Sequence, residues 1–171
     1  MSGTLSTFGD LRDEGDIHLG CSQAEPKTFF YELGRTPLEE VTYSIAQKLL
    51  SEGKRLLIVA ADEGLLSRLD RMLWDRGPSS FLPHEPSGGS EDARQPVLLS
   101  TSTDAPNLAR NILIADGEWR EAALTFDRAF HLFDAATLED GRLAWKLLAG
   151  REGVERRYWA QDEQGRWVQK S

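Results

Sequence analysis

The chain has 171 residues, is 40% hydrophobic and carries a formal net charge of −8. That length fits one domain with a sizeable core, and the acidic balance argues against a broad basic surface gripping a phosphate backbone, so direct nucleic-acid contact is not expected. The single cysteine, Cys21, excludes both an intramolecular disulfide framework and a thiolate metal cluster.

Residues 1–26 are rich in Gly, Ser, Thr, Asp and Glu with few regularly spaced apolar side chains, so a flexible extension is expected ahead of a domain over 27–171. Thr28 to Leu33 (TFFYEL) predicts a first strand. Thr36-Pro37-Leu38-Glu39 then opens a helix. Thr36 and Glu39 have capping-box spacing, and Pro37 falls at the first helical position, where its missing N–H costs nothing. Leu38, Val41, Ile45 and Leu49 predict the core face of this helix and Gly53 its end. Arg55 to Ala61 is a nearly unbroken apolar run, as in a central strand covered on both faces. Asp62 offers an oxygen to cap the next helix, in which Leu65, Leu66, Leu69, Met72 and Leu73 recur at three- and four-residue spacing. Trp74 points about 100° beyond Leu73, toward the edge of that stripe. Gly77-Pro78 stops the helix, and Phe81 brings a second aromatic back beside it.

Glu85 to Gln95 is rich in Pro, Ser, Gly, Glu and Asp and reads as a surface loop. Val97 to Thr101 and Asn111 to Ala115 predict strands, separated by a turn around Asp104-Ala105-Pro106-Asn107. Arg128 to Phe133 fits a strand or a helix by pattern alone. Leu138 to Ala149 predicts a helix with Leu143, Lys146 and Leu147 in register and Gly150 closing it; Val154 to Gln161 predicts the last strand, with Trp167 folding back near the end. Alternating strands and helices argue for parallel pairing through right-handed crossovers.

An α/β sheet invites a nucleotide-binding reading, but neither GxGxxG nor GxxxxGK[ST] follows any of these strands. The carboxylates of Asp62-Glu63 would repel a pyrophosphate at that turn, and helix capping accounts for both. His18, His84 and His131 lie far apart, none with a second ligand two to four residues on, so no metal site is expected and each reads as a surface or core histidine. Ser51, Ser67 and Ser100 lack a nucleophile-elbow context, and Cys21 has no positioned base. No cofactor is implied. No apolar stretch approaches the ~20 residues of a membrane span, and Met1 to Gly20 has neither the basic start nor the apolar centre of a secretory signal, so the cytosol is the expected compartment.

Several motifs in order resemble the chi subunit of the bacterial DNA polymerase III holoenzyme. They are the Thr28 to Leu33 strand, Gly53-Lys54-Arg55 before the second strand, Asp62-Glu63 after it, Leu73-Trp74 and Ser80 to His84. Gln95 to Leu99 follows, then Tyr158-Trp159-Ala160-Gln161 and Gly165-Arg166-Trp167. The resemblance spans Thr28 to Lys170 and implies a strand at Arg128 to Phe133. The fold then expected is a three-layer α/β/α domain with a mixed sheet of about six or seven strands, including an antiparallel edge.

Exposed aromatics beside arginine are the composition of interface hot spots, and the chain offers two such places. The first is Trp74 with Phe81, whose plain alternative is that both cover a helix end. In the chi family the matching pair lies in the surface used by the psi subunit and by a helicase partner. The second is Arg142, Trp145 and Lys146, three and four apart and so able to share one helical stripe; its plain alternative is a solvated basic face. In the family the residues matching Arg142 and Trp145 contribute to a pocket for the acidic C-terminal tail of the single-stranded-DNA-binding protein, with Phe133 a candidate wall here. The basic residue that the family can carry one turn earlier falls on Leu138 or Glu139, leaving Lys146 or Arg151 to substitute. The resemblance thus implies a non-catalytic adaptor joining the clamp loader, with a repair helicase as a further candidate partner, to protein-coated DNA that it touches only indirectly. The rival is a small α/β enzyme acting on a nucleotide-like ligand.

Overall fold

The computed structural model describes residues 26–75, 84–86 and 95–170. Its strands are β1 (Lys27–Glu32), β2 (Leu56–Val59), β3 (His84–Pro86), β4 (Val97–Ser100), β5 (Asn111–Ile114), β6 (Arg128–Phe133), β7 (Glu155–Gln161) and β8 (Trp167–Gln169). The helices are α1 (Leu38–Ser51), α2 (Glu63–Trp74) and α3 (Leu138–Ala149), with short 3-10 turns at Glu121–Thr125 and Ala135–Thr137. One sheet of order β3-β4-β2-β5-β6-β1-β7-β8 runs through the domain. All neighbours pair parallel except β7 and β8, which form the antiparallel edge. The three-residue β3 takes the count one beyond the expected range and opens the segment read as a loop from Glu85 onward.

Helices cover both faces, which is why β1, β2, β4, β5 and β6 are apolar with little alternation. On one face Phe29 and Tyr31 of β1 and Leu56 and Ile58 of β2 meet Val41, Ile45 and Leu49 of α1 and Leu69 and Leu73 of α2. On the other, Leu57, Val59, Ile112 and Ile114 pack on Ala123 and Phe126, while Phe30 and Phe133 pack on Ala144 and Leu148 of α3. Leu65, Leu66 and Met72 are only partly buried against the first cluster. Asp62 caps α2 as expected, accepting from the Gly64 amide at 2.9 Å.

The capping box expected at Thr36 and Glu39 does not form. Pro37 is the N-cap of α1 and makes no side-chain cap bond. Thr36 is drawn elsewhere, because the Gln161 side chain 125 residues away donates to its hydroxyl at 2.7 Å. The same amide donates to the Gly165 carbonyl at 2.8 Å, and its oxygen accepts from the backbone N–H of Gly34 at 3.1 Å and of Thr36 at 2.9 Å. Gln161 therefore ties the turn after β1 to the β7–β8 hairpin with its donors and acceptor in use.

The bounds of α3 match the sequence reading, but its orientation does not. Gly141, Ala144 and Leu148 are its buried residues, whereas Leu143 and Leu147, read as in register, are 63% and 48% exposed. The cause is distance. A Cβ at Gly141 would stand 2.6 Å from the Phe133 ring, so α3 lies too close to the sheet for any side chain there. Asp134 fixes the approach, accepting from the amides of Ala136 at 3.0 Å and Thr137 at 3.1 Å while Thr137 Oγ1 accepts from the Asp134 amide.

Replacing a helical Gly by Ala ordinarily gains about 1 kcal/mol. For Gly141→Ala the overpacking cost of about 1–3 kcal/mol against Phe133 outweighs that gain, so urea denaturation should show a lowered midpoint. A raised midpoint would mean that helix and sheet separate freely.

Candidate functional site

Arg142, Trp145 and Lys146 lie on one flank of α3 and line a groove of about 350 Å³ together with Glu32 from the end of β1, Tyr158 from β7 and Lys170 beyond β8. The sheet brings these together by register, since Thr28 and Phe30 of β1 stand opposite Arg156 and Tyr158 of β7. Residues 156 and 158 share one face of their strand, the face under α3.

Trp145 is half-buried and held from several sides. The Arg156 guanidinium carbon sits 3.7 Å from the centre of its ring, and the same side chain donates to the Trp145 carbonyl at 2.9 Å. Phe30 and Tyr158 meet the indole edge-on at 5.3 and 5.4 Å. The ring is thus fixed before any ligand arrives, which removes part of the ordering cost of binding.

Phe133 does not line the groove. It is 1% exposed, lies beneath Gly141 and supports Tyr158 at 5.8 Å between ring centres. The aromatic surfaces that reach the groove are Trp145 and Tyr158. Tyr158, Glu32, Arg156 and Lys170 were not singled out from the sequence as site residues, although the period-two alternation of β7 could have placed Arg156 and Tyr158 on one face.

The Tyr158 hydroxyl donates to Glu32 Oε1. Burial pushes its pKa up to about 12, the Glu32 carboxylate adds to the rise, and Arg142, which also reaches the hydroxyl, opposes it. The groove gathers Arg142, Lys146 and Lys170 against one carboxylate, in a chain whose overall charge is −8. Behind it His131 is wholly buried among Phe30, Trp119 and Phe133, at 5.4 to 5.7 Å. Burial takes its pKa down to about 4 against the pull of Asp116, so it is a neutral core residue.

The second expected surface is only bounded. Trp74 is the last residue of α2, but its side chain, and the whole of Phe81, lie outside the described residues. The βα turns offer little to a phosphate, since the Gly34 and Thr36 amides are taken by Gln161 and the Ala61 amide by Asp116 at 2.8 Å. Among the described residues no group of three or more His, Cys, Asp or Glu is placed to hold a metal ion.

The family model described as DNA polymerase III chi subunit, HolC, matches residues 26–155. The chain is similar to the DNA polymerase III subunit chi of Escherichia coli (strain K12), 34% identical over 82 residues, which are 48% of this chain and 56% of that protein. It is also similar to subunit chi of Pseudomonas aeruginosa, 35% identical over 75 residues (44% and 51%), and of Haemophilus influenzae, 32% identical over 63 residues (37% and 44%). The chain spans about half the length of the curated relatives it matches.

Raising the Tyr158 pKa above its unfolded value of about 10 means the folded state favours the neutral phenol. The associated stability is complete below pH 10 and is lost as pH rises toward 12. Subtracting the alkaline absorbance titration of Tyr158→Phe from that of the unaltered protein should isolate a midpoint near 12; one near 10 would place Tyr158 in open solvent.

Proposed function

The chain belongs to the DNA polymerase III chi subunit family, and from that premise we propose that it is a non-catalytic accessory subunit linking the clamp loader to single-stranded-DNA-binding protein during replication, in the cytoplasm. The observation that carries this reading is the cationic groove with its fixed indole. An acidic tail that ends in an aromatic residue with a free carboxylate needs a cation for the carboxylate and a flat apolar surface for the ring. Arg142 supplies the first, with Lys146 and Lys170 beside it; Trp145 and Tyr158 supply the second. Lys146 compensates for Leu138 and Glu139 at the earlier turn together with Lys170, whereas Arg151, the other candidate, is paired with Glu121 and does not line the groove. Glu32 opposes an anionic ligand, so the ligand carboxylate is best placed on Arg142 on the side away from Glu32, with the lysines beside it.

We assign Trp74 and Phe81 to a separate face for a psi subunit, another clamp-loader component or a repair helicase. A weak contact at the groove then suffices, because tethering raises the local concentration of the polymerase machinery at the coated strand. Among the described residues no helix is long and apolar enough to cross a membrane. The occupied amides of the βα turns weigh against the rival, a small enzyme for a nucleotide-like ligand.

Fluorescence anisotropy with a labelled acidic peptide ending in Asp-Phe tests the groove. Binding should weaken as salt rises, since exposed charges are screened within about 8–10 Å, and Arg142→Ala should nearly abolish it. Salt-independent binding that tolerates Arg142→Ala would sink the assignment. Trp74→Ala should keep the fold and peptide affinity while costing about 2 kcal/mol or more with the other partner; co-purification with an unchanged partner set would reject that second face.

A further inference from the structure

The opposite flank of α3 carries a different chemistry. Leu143 and Leu147, one turn apart and largely exposed, border a cleft of about 570 Å³ with Ala144 and Trp119, rimmed by Glu118 and Asp140. Trp119 is a fixed wall. Its indole N–H donates to Glu121 at 2.6 Å, Glu121 is paired with Arg151, and the ring packs on Phe30 and His131 at 6.4 and 5.6 Å. Two large leucines beside a half-buried tryptophan make a contiguous apolar patch of the kind that marks an interaction surface.

We propose that this cleft docks a cationic amphipathic helix of a partner protein. The rim decides the sign of the charge, because Glu118 and Asp140 attract Lys and Arg and repel the acidic tail assigned to the other flank. The walls decide the form of the occupant. They are side chains of α3 and Trp119 and not a sheet edge, so an occupant must satisfy its own backbone hydrogen bonds, as a helix does. Leucines one turn apart form a ridge that fits between the ridges of such a helix. A second copy of this chain fits less well, since a two-fold contact would set each acidic rim against itself. The proposal stands apart from tail binding, as it uses the other side of the helix and the opposite charge.

The probe is a short blocked helix of Lys, Leu and Ala with leucines four apart on one face, titrated into the full-length protein and followed by amide NMR. Shifts should centre on Glu118, Trp119, Asp140, Leu143 and Leu147. Affinity should fall at least about tenfold in Leu143→Ser/Leu147→Ser and about threefold in Asp140→Asn, and stay unchanged in Arg142→Ala. The same peptide with Glu for Lys should not bind. Equal binding of the glutamate peptide, shifts centred on Tyr158 and Lys146, or undiminished affinity in both the serine and the Asp140→Asn variants would each overturn the proposal. So would a dimer in sedimentation that the serine pair dissolves, since the flank would then belong to a second copy.

Discussion

At the crossing of α3 and β6, the Gly141 backbone lies against the Phe133 ring with no room for a Cβ. A helix held that close can bury only a narrow strip, here Gly141, Ala144 and Leu148. Every bulky residue of α3 between them must leave on one side or the other. Arg142, Trp145 and Lys146 go toward β7 and β8; Leu143 and Leu147 go toward the segment after β5. One steric contact thus sets the two chemistries of the helix apart, and the short 3-10 turn capped by Asp134 holds the crossing in place.

Beneath the helix the sheet supplies a floor of rings rather than aliphatic chains. Phe30, wholly buried, touches Trp119, His131, Phe133, Trp145 and Tyr158. Rings have few rotatable bonds, so the groups at the periphery inherit their positions from the core at little entropic cost. Charge is confined to the margins of this floor: Arg156 over the Trp145 face, Glu32 at the Tyr158 hydroxyl, and the Asp116–Arg120 pair near His131. The neutral imidazole of His131 follows from the same burial. The groove stays cationic within an acidic protein because the rings that line it, Trp145 and Tyr158, carry no charge and Glu32 is its one carboxylate beside Arg142, Lys146 and Lys170.

Features governed by neighbours along the chain were legible in the sequence. The Asp62 cap, the bounds of α3 and the apolar runs of β1, β2, β4 and β5 all follow from spacing or local hydrogen bonding. Features governed by distant residues were not. Thr36 has the pattern of a cap, but Gln161 competes for it from the far end of the chain. Leu143 and Leu147 have the pattern of a core face, but the close crossing at Gly141 turns Gly141, Ala144 and Leu148 toward the sheet instead. Phe133 reads as a ring available to a ligand until β1 and β7 are paired, after which Tyr158 stands over it. At the groove the helical half, Arg142, Trp145 and Lys146, was readable; the sheet half, Glu32, Tyr158 and Arg156, depended on strand order.

The two flanks of α3 are separated by the width of a helix, about 10 Å with side chains, and the screening length at physiological salt is about 8 Å. Direct attraction between an anionic occupant on one side and a cationic occupant on the other is therefore weak, and the flanks act almost as independent sites electrostatically. Mechanical coupling is another matter. Both flanks hang on the same close contact, so any displacement of α3 relative to Phe133 would reach both of them. Any communication between occupants should run through that contact. Its strength depends on how differently each ligand binds the docked and a shifted helix, and a shifted helix is costly to populate because Gly141 packs directly on the Phe133 ring.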